Sequence, residues 1–326
     1  MSREGESLKK EKVKKIKIIA KFYALEVLSL AFIITGIVLL SVYDETIGYE
    51  IVEDYTDCLD YEDKIKCKDV LLRKNKCTCF IPLNITQQMN KNVIAYYELD
   101  HYDQSITQSK DDQQWSGTLP SEPSKNCGKY SYVETKEGRK PIAPCGALAD
   151  SMFNDTFSLQ IDNEYMKYIR TGLIPEAEKS LYRNPPGDLA QAFENFSKPI
   201  NWDRNIWELD TSNPDNNGFK NEAFIAWMKT DWTRKPVWRV NHTGVYQHGV
   251  PKGSYILRVI YAYPPSRYSG RRKFMIGNIQ HVVNPLKLGF GIVFLVLGII
   301  IIIGKLFFNR KKYYKYFPCE QNITAS

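Results

Sequence analysis

The sequence predicts two transmembrane α-helices and one large β-rich ectodomain, antiparallel and sandwich-like, which is linked by disulfides and has long loops. Three observations support this fold class. Two long apolar runs lie near the two ends of the 326-residue chain. Six of the seven cysteines fall between these runs. The same middle part alternates short β-branched and aromatic runs with turn sequences, which is typical of strands.

Both apolar runs are long enough to cross a membrane. They cover residues 22–43, interrupted by Glu26, and residues 286–308, interrupted by Lys287 and Lys305. A helix needs about 20 residues to cross roughly 30 Å of hydrocarbon, and this length disfavours the alternative of buried core helices. A cleaved signal peptide has a shorter apolar part and a small-residue cleavage site, which is absent after the first run. We therefore predict a retained signal anchor and a second span.

Basic residues next to the spans predict the orientation, because cytosolic flanks are enriched in Lys and Arg. The segments 1–21 and 309–326 are basic, whereas the stretch after the first span is acidic. We therefore expect both termini in the cytosol and residues 44–285 on the exoplasmic or lumenal side. The basic residues that support this orientation are Arg3, Lys9, Lys10, Lys12, Lys14, Lys15, Lys17, Lys21, Lys305, Arg310, Lys311, Lys312 and Lys315.

The net charge of +7 is concentrated in these two terminal segments. Because the basic patches would lie against a membrane, they argue against a nucleic-acid partner. They predict contact with anionic lipid of the inner leaflet, worth about 1 kcal/mol for each Lys or Arg near the surface. The alternative is that the charges only fix the topology, and the two interpretations are compatible.

The cysteines predict disulfides in the middle domain. Cys319 alone lies in the cytosolic tail, whereas an even number lies in the oxidising compartment. A zinc site is the alternative, but Cys77-Thr78-Cys79 lacks the spacing of a zinc knuckle. One intervening residue also makes a bond between Cys77 and Cys79 unfavourable. We expect the pairs Cys58–Cys79, Cys67–Cys77 and Cys127–Cys145.

The N-glycosylation sequons agree with this topology. Asn-x-Ser/Thr occurs in the exoplasmic segment at Asn84, Asn154, Asn195 and Asn241. A fifth sequon, at Asn322, lies in the predicted cytosolic tail. We expect glycans at some or all of the first four sites and none at Asn322.

Local patterns predict the secondary structure of the middle domain. Residues 93–97, 223–228 and 255–263 are rich in β-branched and aromatic residues and predict strands. Residues 148–153 and 160–169 predict short helices. Turn clusters lie at residues 184–187, 213–218 and 263–265.

The sequence contains no catalytic motif that we could identify. His242 and His248 match no metal motif, and neither Gly-x-Ser-x-Gly nor His-Glu-x-x-His occurs. We therefore predict no catalytic residue, no metal site and no cofactor.

An ordered series of motifs identifies a family. Pro144-Cys145-Gly146 lies within the signature of residues 140–147, and Pro214-Asp215-Asn216-Asn217-Gly218-Phe219 is the densest match. The other matching segments are residues 95–99, 109–112, 151–156, 184–186, 198–202, 221–222, 224–230, 251–255, 263–264 and 284–286. Together they resemble the cell division control protein 50 family, the accessory β-subunits of type IV P-type ATPases, which are phospholipid flippases. The similarity covers roughly two-thirds of the chain.

The resemblance implies a role and a cellular location. The resemblance implies a non-catalytic subunit that forms a heterodimer with the ATPase, stabilises it and supports its exit from the endoplasmic reticulum. It also implies support for the transport of aminophospholipids to the cytosolic leaflet. The expected location is the endoplasmic reticulum, Golgi, endosome or plasma membrane. We further expect the second span to pack on the ATPase through Gly291 and Gly298, which lie on one helix face.

Other functions remain alternatives. A ligand-gated channel subunit with two spans has the same topology, but a pore helix presents polar residues to water. Residues 288–304 contain only Gly, Leu, Phe, Ile and Val. An adhesion or receptor domain does not require two spans, and an ecto-enzyme lacks a catalytic set.

Overall fold

A computed structural model describes residues 3–90, 92–104, 114–136, 138–162 and 164–316. The chain divides into two compact units. The terminal unit comprises Met1–Ile47 and Gln280–Ser326, and the central domain comprises Gly48–Ile279.

The terminal unit consists of two long helices and a short antiparallel strand pair. Its elements are α1 (Arg3–Ser41), β1 (Asp44–Ile47), β13 (Gln280–Val283) and α7 (Pro285–Tyr316). Asn284 caps α7, since its side chain accepts a hydrogen bond from the Lys287 amide at 3.2 Å and Pro285 starts the helix.

Both helices contain a segment apolar enough to span a bilayer, at Tyr23–Ser41 and Pro285–Phe307. Only 11% of each segment is buried in the protein, whereas a core helix would be mostly covered. Apolar side chains exposed along a whole helix match a hydrocarbon solvent. The predicted pair of membrane-spanning helices is confirmed.

The central domain is built mainly from antiparallel strands joined by long loops. Its strands are β2 (Glu50–Asp54), β3 (Cys77–Ile85), β4 (Ile94–Leu99), β5 (Tyr132–Thr135), β6 (Gly138–Pro141), β7 (Thr156–Ile161), β8 (Glu164–Tyr165), β9 (Tyr168–Ile169), β10 (Arg234–Val240), β11 (Gly253–Tyr261) and β12 (Arg272–Gly277). Its short helices are α2 (Cys67–Val70), α3 (Ala147–Asp150), α4 (Glu176–Lys179), α5 (Leu189–Ala192) and α6 (Glu222–Met228). Single 3₁₀ turns include Ile206–Glu208, Pro214–Asn216 and Gly218–Lys220.

Two antiparallel sheets share one core. One has the strand order β2-β12-β4-β10-β9 and the other β3-β11-β7-β8. Alternate residues of β11, such as Leu257 and Val259, are fully buried, as expected for a strand with one face in the core. Phe157 of β7 meets Phe274 of β12 with 5.1 Å between ring centroids. The β-rich, sandwich-like fold predicted from the sequence is therefore confirmed.

Two of the local predictions are wrong. Residues 223–228 lie in helix α6 rather than in a strand. In the predicted helix at 160–169, residues 160–161, 164–165 and 168–169 lie in strands β7, β8 and β9. Nearly every residue of α6 is buried, so the segment lacks a polar face, and a short apolar run does not distinguish a helix from a strand. In the second case Asp162, which lies between β7 and β8, has a φ of +50°. A right-handed helix excludes this backbone conformation.

Candidate functional site

The motif of residues 214–219 joins separate loops through its asparagine side chains. The buried Asn216 side chain donates to Asp210 at 2.7 Å and accepts from the Glu222 amide at 3.0 Å. Asn217 donates to the Trp207 carbonyl at 2.5 Å. Buried amide groups that satisfy backbone polar atoms are costly to replace. This motif is a scaffold for the loops around it.

Glu222, shortly after that motif, holds another loop. Its carboxylate is 1% exposed and accepts from the backbone amides of Gly172, Leu173 and Ile174 at 3.1, 2.6 and 3.2 Å. The Lys179 Nζ forms a salt bridge with the same carboxylate at 2.7 Å. Charge-assisted bonds of this kind are stronger than neutral ones, so Glu222 orders residues 172–179.

The Pro-Cys-Gly segment is bound by partners distant in sequence. Gln114 donates to the Ile142 carbonyl at 2.9 Å and accepts from the Cys145 amide at 2.8 Å. The indole of Trp227 donates to the Leu148 carbonyl at 2.7 Å, and that of Trp202 to the Ala149 carbonyl at 2.8 Å. The motif around Cys145 and those around Trp202 and Trp227 therefore form one packed region.

A buried ion pair lies between the sheets. The Arg272 guanidinium donates to Asp155 at 3.0 Å, and the two side chains are 1% and 0% exposed. Asp155 also accepts from the Tyr55 hydroxyl at 3.0 Å and from the amides of Ala262 and Tyr263 at 2.6 and 2.7 Å. Burial raises the pKa of Asp155, and the Arg272 charge opposes that rise. The pair joins β12 to the segment between α3 and β7.

The disulfides join Cys58 to Cys79, Cys67 to Cys77 and Cys127 to Cys145. These are the pairs expected from the sequence. Two groups of candidate metal ligands occur among the described residues: Cys58, Cys67 and Cys79, and Asp60, Cys67 and Cys77. Because each of these thiols is oxidised in a disulfide, it offers no thiolate to a metal.

The four predicted glycosylation sites lie on the surface of the central domain. Asn84, Asn154 and Asn195 are exposed and Asn241 is half-exposed. Asn322 lies outside the described residues.

We predict glycans at some or all of Asn84, Asn154, Asn195 and Asn241, because the glycosylating enzyme needs accessible sequons on the lumenal side. Peptide mass mapping with and without glycosidase checks this. Asn322 serves as the internal control, and a glycan on it would contradict the two-span topology.

The glycines of the second span face the first span. A Cβ at Gly298 would lie 2.6 Å from the Ile33 side chain and 3.0 Å from the Ser29 carbonyl oxygen of α1. A Cβ at Gly291 would lie 2.8 Å from the Leu40 side chain. The prediction that Gly291 and Gly298 pack on a partner protein is therefore corrected: this face is covered by α1 of the same chain. Small residues let the two helices approach closely in lipid.

Gly298→Leu is expected to force the two helices apart and to destabilise the protein by about 1–3 kcal/mol, the usual cost of overpacking. Thermal unfolding in detergent measures the effect. Gly289→Leu is the matched control, because a Cβ at that position would have no described atom within 4 Å apart from its chain neighbours and the nearby backbone of its own helix. An equal effect of both substitutions would refute close packing at Gly298.

Two of the three charged residues that interrupt the apolar runs, Glu26 and Lys305, pair with each other. Lys305 donates to the Glu26 carboxylate between α7 and α1. Ionisable groups within membrane helices are costly unless they are paired. In the sequence these residues only interrupt the apolar runs, whereas the structure shows that they form an ion pair between α1 and α7.

Comparison with known proteins agrees with this architecture. The model of the LEM3 (ligand-effect modulator 3) family / CDC50 family matches residues 41–316. The chain belongs to the CDC50 family. The resemblance found in the sequence motifs is thereby confirmed.

Among the relatives of this CDC50-family chain is the Mus musculus cell cycle control protein 50A, 34% identical over 71% of the chain and 67% of the relative. The Homo sapiens cell cycle control protein 50B is 35% identical over 68% of the chain and 67% of the relative. The Saccharomyces cerevisiae protein named phospholipid-transporting ATPase accessory subunit CRF1 is 26% identical over 75% of the chain and 62% of that protein. The matches to several mammalian relatives span 60–67% of their length.

Sequence reasoning missed the buried Asp155–Arg272 pair and the role of Glu222. A charged residue within a motif otherwise rich in apolar and amide side chains was the available signal for Glu222. For Asp155 and Arg272, separated by 117 residues, no local pattern indicates the pairing.

Proposed function

We propose that this CDC50-family protein is the non-catalytic accessory subunit of a phospholipid-transporting P-type ATPase. The observation that carries the proposal is the family match over residues 41–316, together with a yeast relative named as such a subunit. A central domain cross-linked by three disulfides and by buried polar bonds supports a binding and stabilising role.

In the proposed complex, the segments 1–21 and 309–326 are cytosolic, residues 22–43 and 286–308 cross the membrane, and residues 44–285 are exoplasmic. The chain forms a heterodimer with the ATPase, stabilises it and supports its exit from the endoplasmic reticulum. The ATPase moves aminophospholipids to the cytosolic leaflet of the Golgi, endosome or plasma membrane. Support for the orientation comes from the basic terminal segments.

A subunit of this kind acts by binding some states of the transport cycle more strongly than others. Only differential contacts with two states shift a conformational equilibrium. The rigid connections within the central domain suit this role, because an ordered surface loses less conformational entropy on binding.

The test is purification of the tagged chain in mild detergent and identification of co-purifying proteins. We expect a P-type ATPase at about equal stoichiometry. Co-expression with that ATPase is expected to restore lipid-stimulated ATP hydrolysis, whereas the chain alone should show none. Deletion in the native cell should lower surface ATPase and inward movement of labelled phosphatidylserine. Recovery of a homotrimer without an ATPase, together with normal lipid uptake after deletion, would contradict the proposal and favour a channel.

A further inference from the structure

A cavity of about 350 Å³ opens at the end of the five-stranded sheet. Its wall includes the aromatic side chains of Tyr97, Tyr102, Trp227 and Trp232, together with Lys235. Tyr and Trp are the residue types that most often dominate the energy of protein interfaces, because they offer large apolar area together with a polar group. The wall of this cavity therefore has the residue composition that is typical of a protein interface.

Lys235 is a buried cation at this cavity. Its residue is 4% exposed, its Nζ donates to the Lys229 carbonyl, and it lies 6.0 Å from the centre of the Trp227 ring. Within the described part of the chain no carboxylate oxygen lies within 4.0 Å of this Nζ. A buried cation without a counter-ion is costly, because burial removes its hydration.

The acidic residues at the cavity, Glu98 and Asp100, are already paired elsewhere. Glu98 lies opposite Arg234 across the β4–β10 pair, whereas Lys235 lies opposite Tyr97, so Glu98 and Lys235 point to opposite faces of the sheet. Lys273 binds Glu98 at 2.9 Å and Asp100 at 3.4 Å. Arg234 also lies 3.5 Å from Glu98.

The remaining charges near Lys235 do not compensate it. Asp231 is exposed to water, and Lys229 is paired with Glu178. Burial lowers the pKa of Lys235 to about 8, against a partial opposing effect of Asp231. At neutral pH the lysine is still mostly charged. The cavity beside it has room for a counter-ion from another molecule.

We propose that Lys235 and the surrounding aromatic wall form a docking site for the carboxylate of an Asp or Glu side chain on an exoplasmic loop of the partner ATPase. This inference rests on the proposed function. The aromatic rings exclude water from the pair, and the charge complementarity selects an acidic side chain. Among the described groups lining this cavity, Lys235 is the charged one that has no opposite charge in contact.

The test compares Lys235→Met with Lys167→Met in the full-length tagged chain. Met is similar in volume to Lys and removes the charge, while Lys167 is an exposed lysine of the same domain. Lys235→Met is expected to keep or raise the melting temperature of the purified chain at pH 7, because a buried uncompensated charge is removed. It is also expected to reduce recovery of the ATPase at least about tenfold. Lys167→Met should behave like the wild type in both measurements.

Three outcomes would overturn the inference. Wild-type recovery of the ATPase by Lys235→Met would exclude a partner carboxylate. A fall of several degrees in the melting temperature of Lys235→Met would show that Lys235 serves only to hold the fold. Stabilisation of the free wild-type chain by sodium acetate over sodium chloride, with normal ATPase recovery by Lys235→Met, would assign the site to a soluble carboxylate. Failure of the wild-type chain to recover any ATPase would instead contradict the proposed function.

Discussion

Replacing Asp155 with Asn is expected to lower the free energy of unfolding by about 3–5 kcal/mol. The substitution removes the charge that faces Arg272 but keeps the shape of the side chain. Arg272 is 1% exposed, so its guanidinium would remain buried without a counter-ion. The Arg272 Nε already lacks a hydrogen-bond partner among the residues that the structure describes. Because proteins of this size have total stabilities of about 5–15 kcal/mol, the loss is large.

Chemical denaturation in detergent measures this loss, and two variants make the result specific. Asp54→Asn removes an exposed ion pair with Arg271 in the same domain, and it should cost at most about 1 kcal/mol. Asp155→Asn combined with Arg272→Met removes both buried charges and should recover much of the stability, since neutral side chains can replace a buried pair. The single change keeps the Asn154 sequon, so glycan number is unaltered. A single-variant loss equal to that of Asp54→Asn would refute a structural role for the pair.

Cys145→Ser is expected to destabilise the central domain by about 3 kcal/mol, the loop-entropy contribution of a disulfide that closes about 20 residues. Cys127 and Cys145 are fully buried and lie 18 residues apart. The Cys145 amide also donates to Gln114, so the change should loosen the packing of the Pro-Cys-Gly segment. We expect earlier unfolding in urea and retention of the protein in the endoplasmic reticulum.

The partner cysteine supplies the control. Cys127→Ser should cause the same loss, and the double variant should add little, because one bond is removed in all three cases. Non-reducing peptide mapping of the wild type should recover the Cys127–Cys145 peptide pair. A Cys127 peptide bonded to Cys58 or Cys67 would contradict the pairing.

Much of the architecture could be predicted because it depends on local composition. The length of an apolar run determines whether it can span a bilayer, as at Tyr23–Ser41 and Pro285–Phe307. Alternation of buried residues is the pattern of strands β4 and β11. Cysteine count and spacing indicated disulfides, and the residues of the motif around Cys145 were sufficient to indicate the family.

Local sequence patterns gave wrong predictions where the tertiary environment decides between two secondary structures or between two packing partners. The segment at α6 is apolar on all sides, so its sequence has no periodicity, and the Asn221 cap with surrounding packing selects a helix. The glycines at 291 and 298 indicated close helix packing, but only the structure shows that α1 is the neighbour.

By itself, the sequence determined the two spans, the β-rich class, the family and the set of residues available for disulfides and glycans. The spans, the β-rich class and the available disulfide and glycan sites follow from composition, period and spacing along the chain, whereas the family follows from the resemblance of its ordered motifs. The tertiary structure alone decided that Asp155 neutralises Arg272, that Glu26 meets Lys305, and that Lys235 lies in an aromatic cavity with no counter-ion among the residues that the structure describes. The physical reason is that electrostatic energy depends on the distance between charges and on their burial, and folding sets both across long sequence separations.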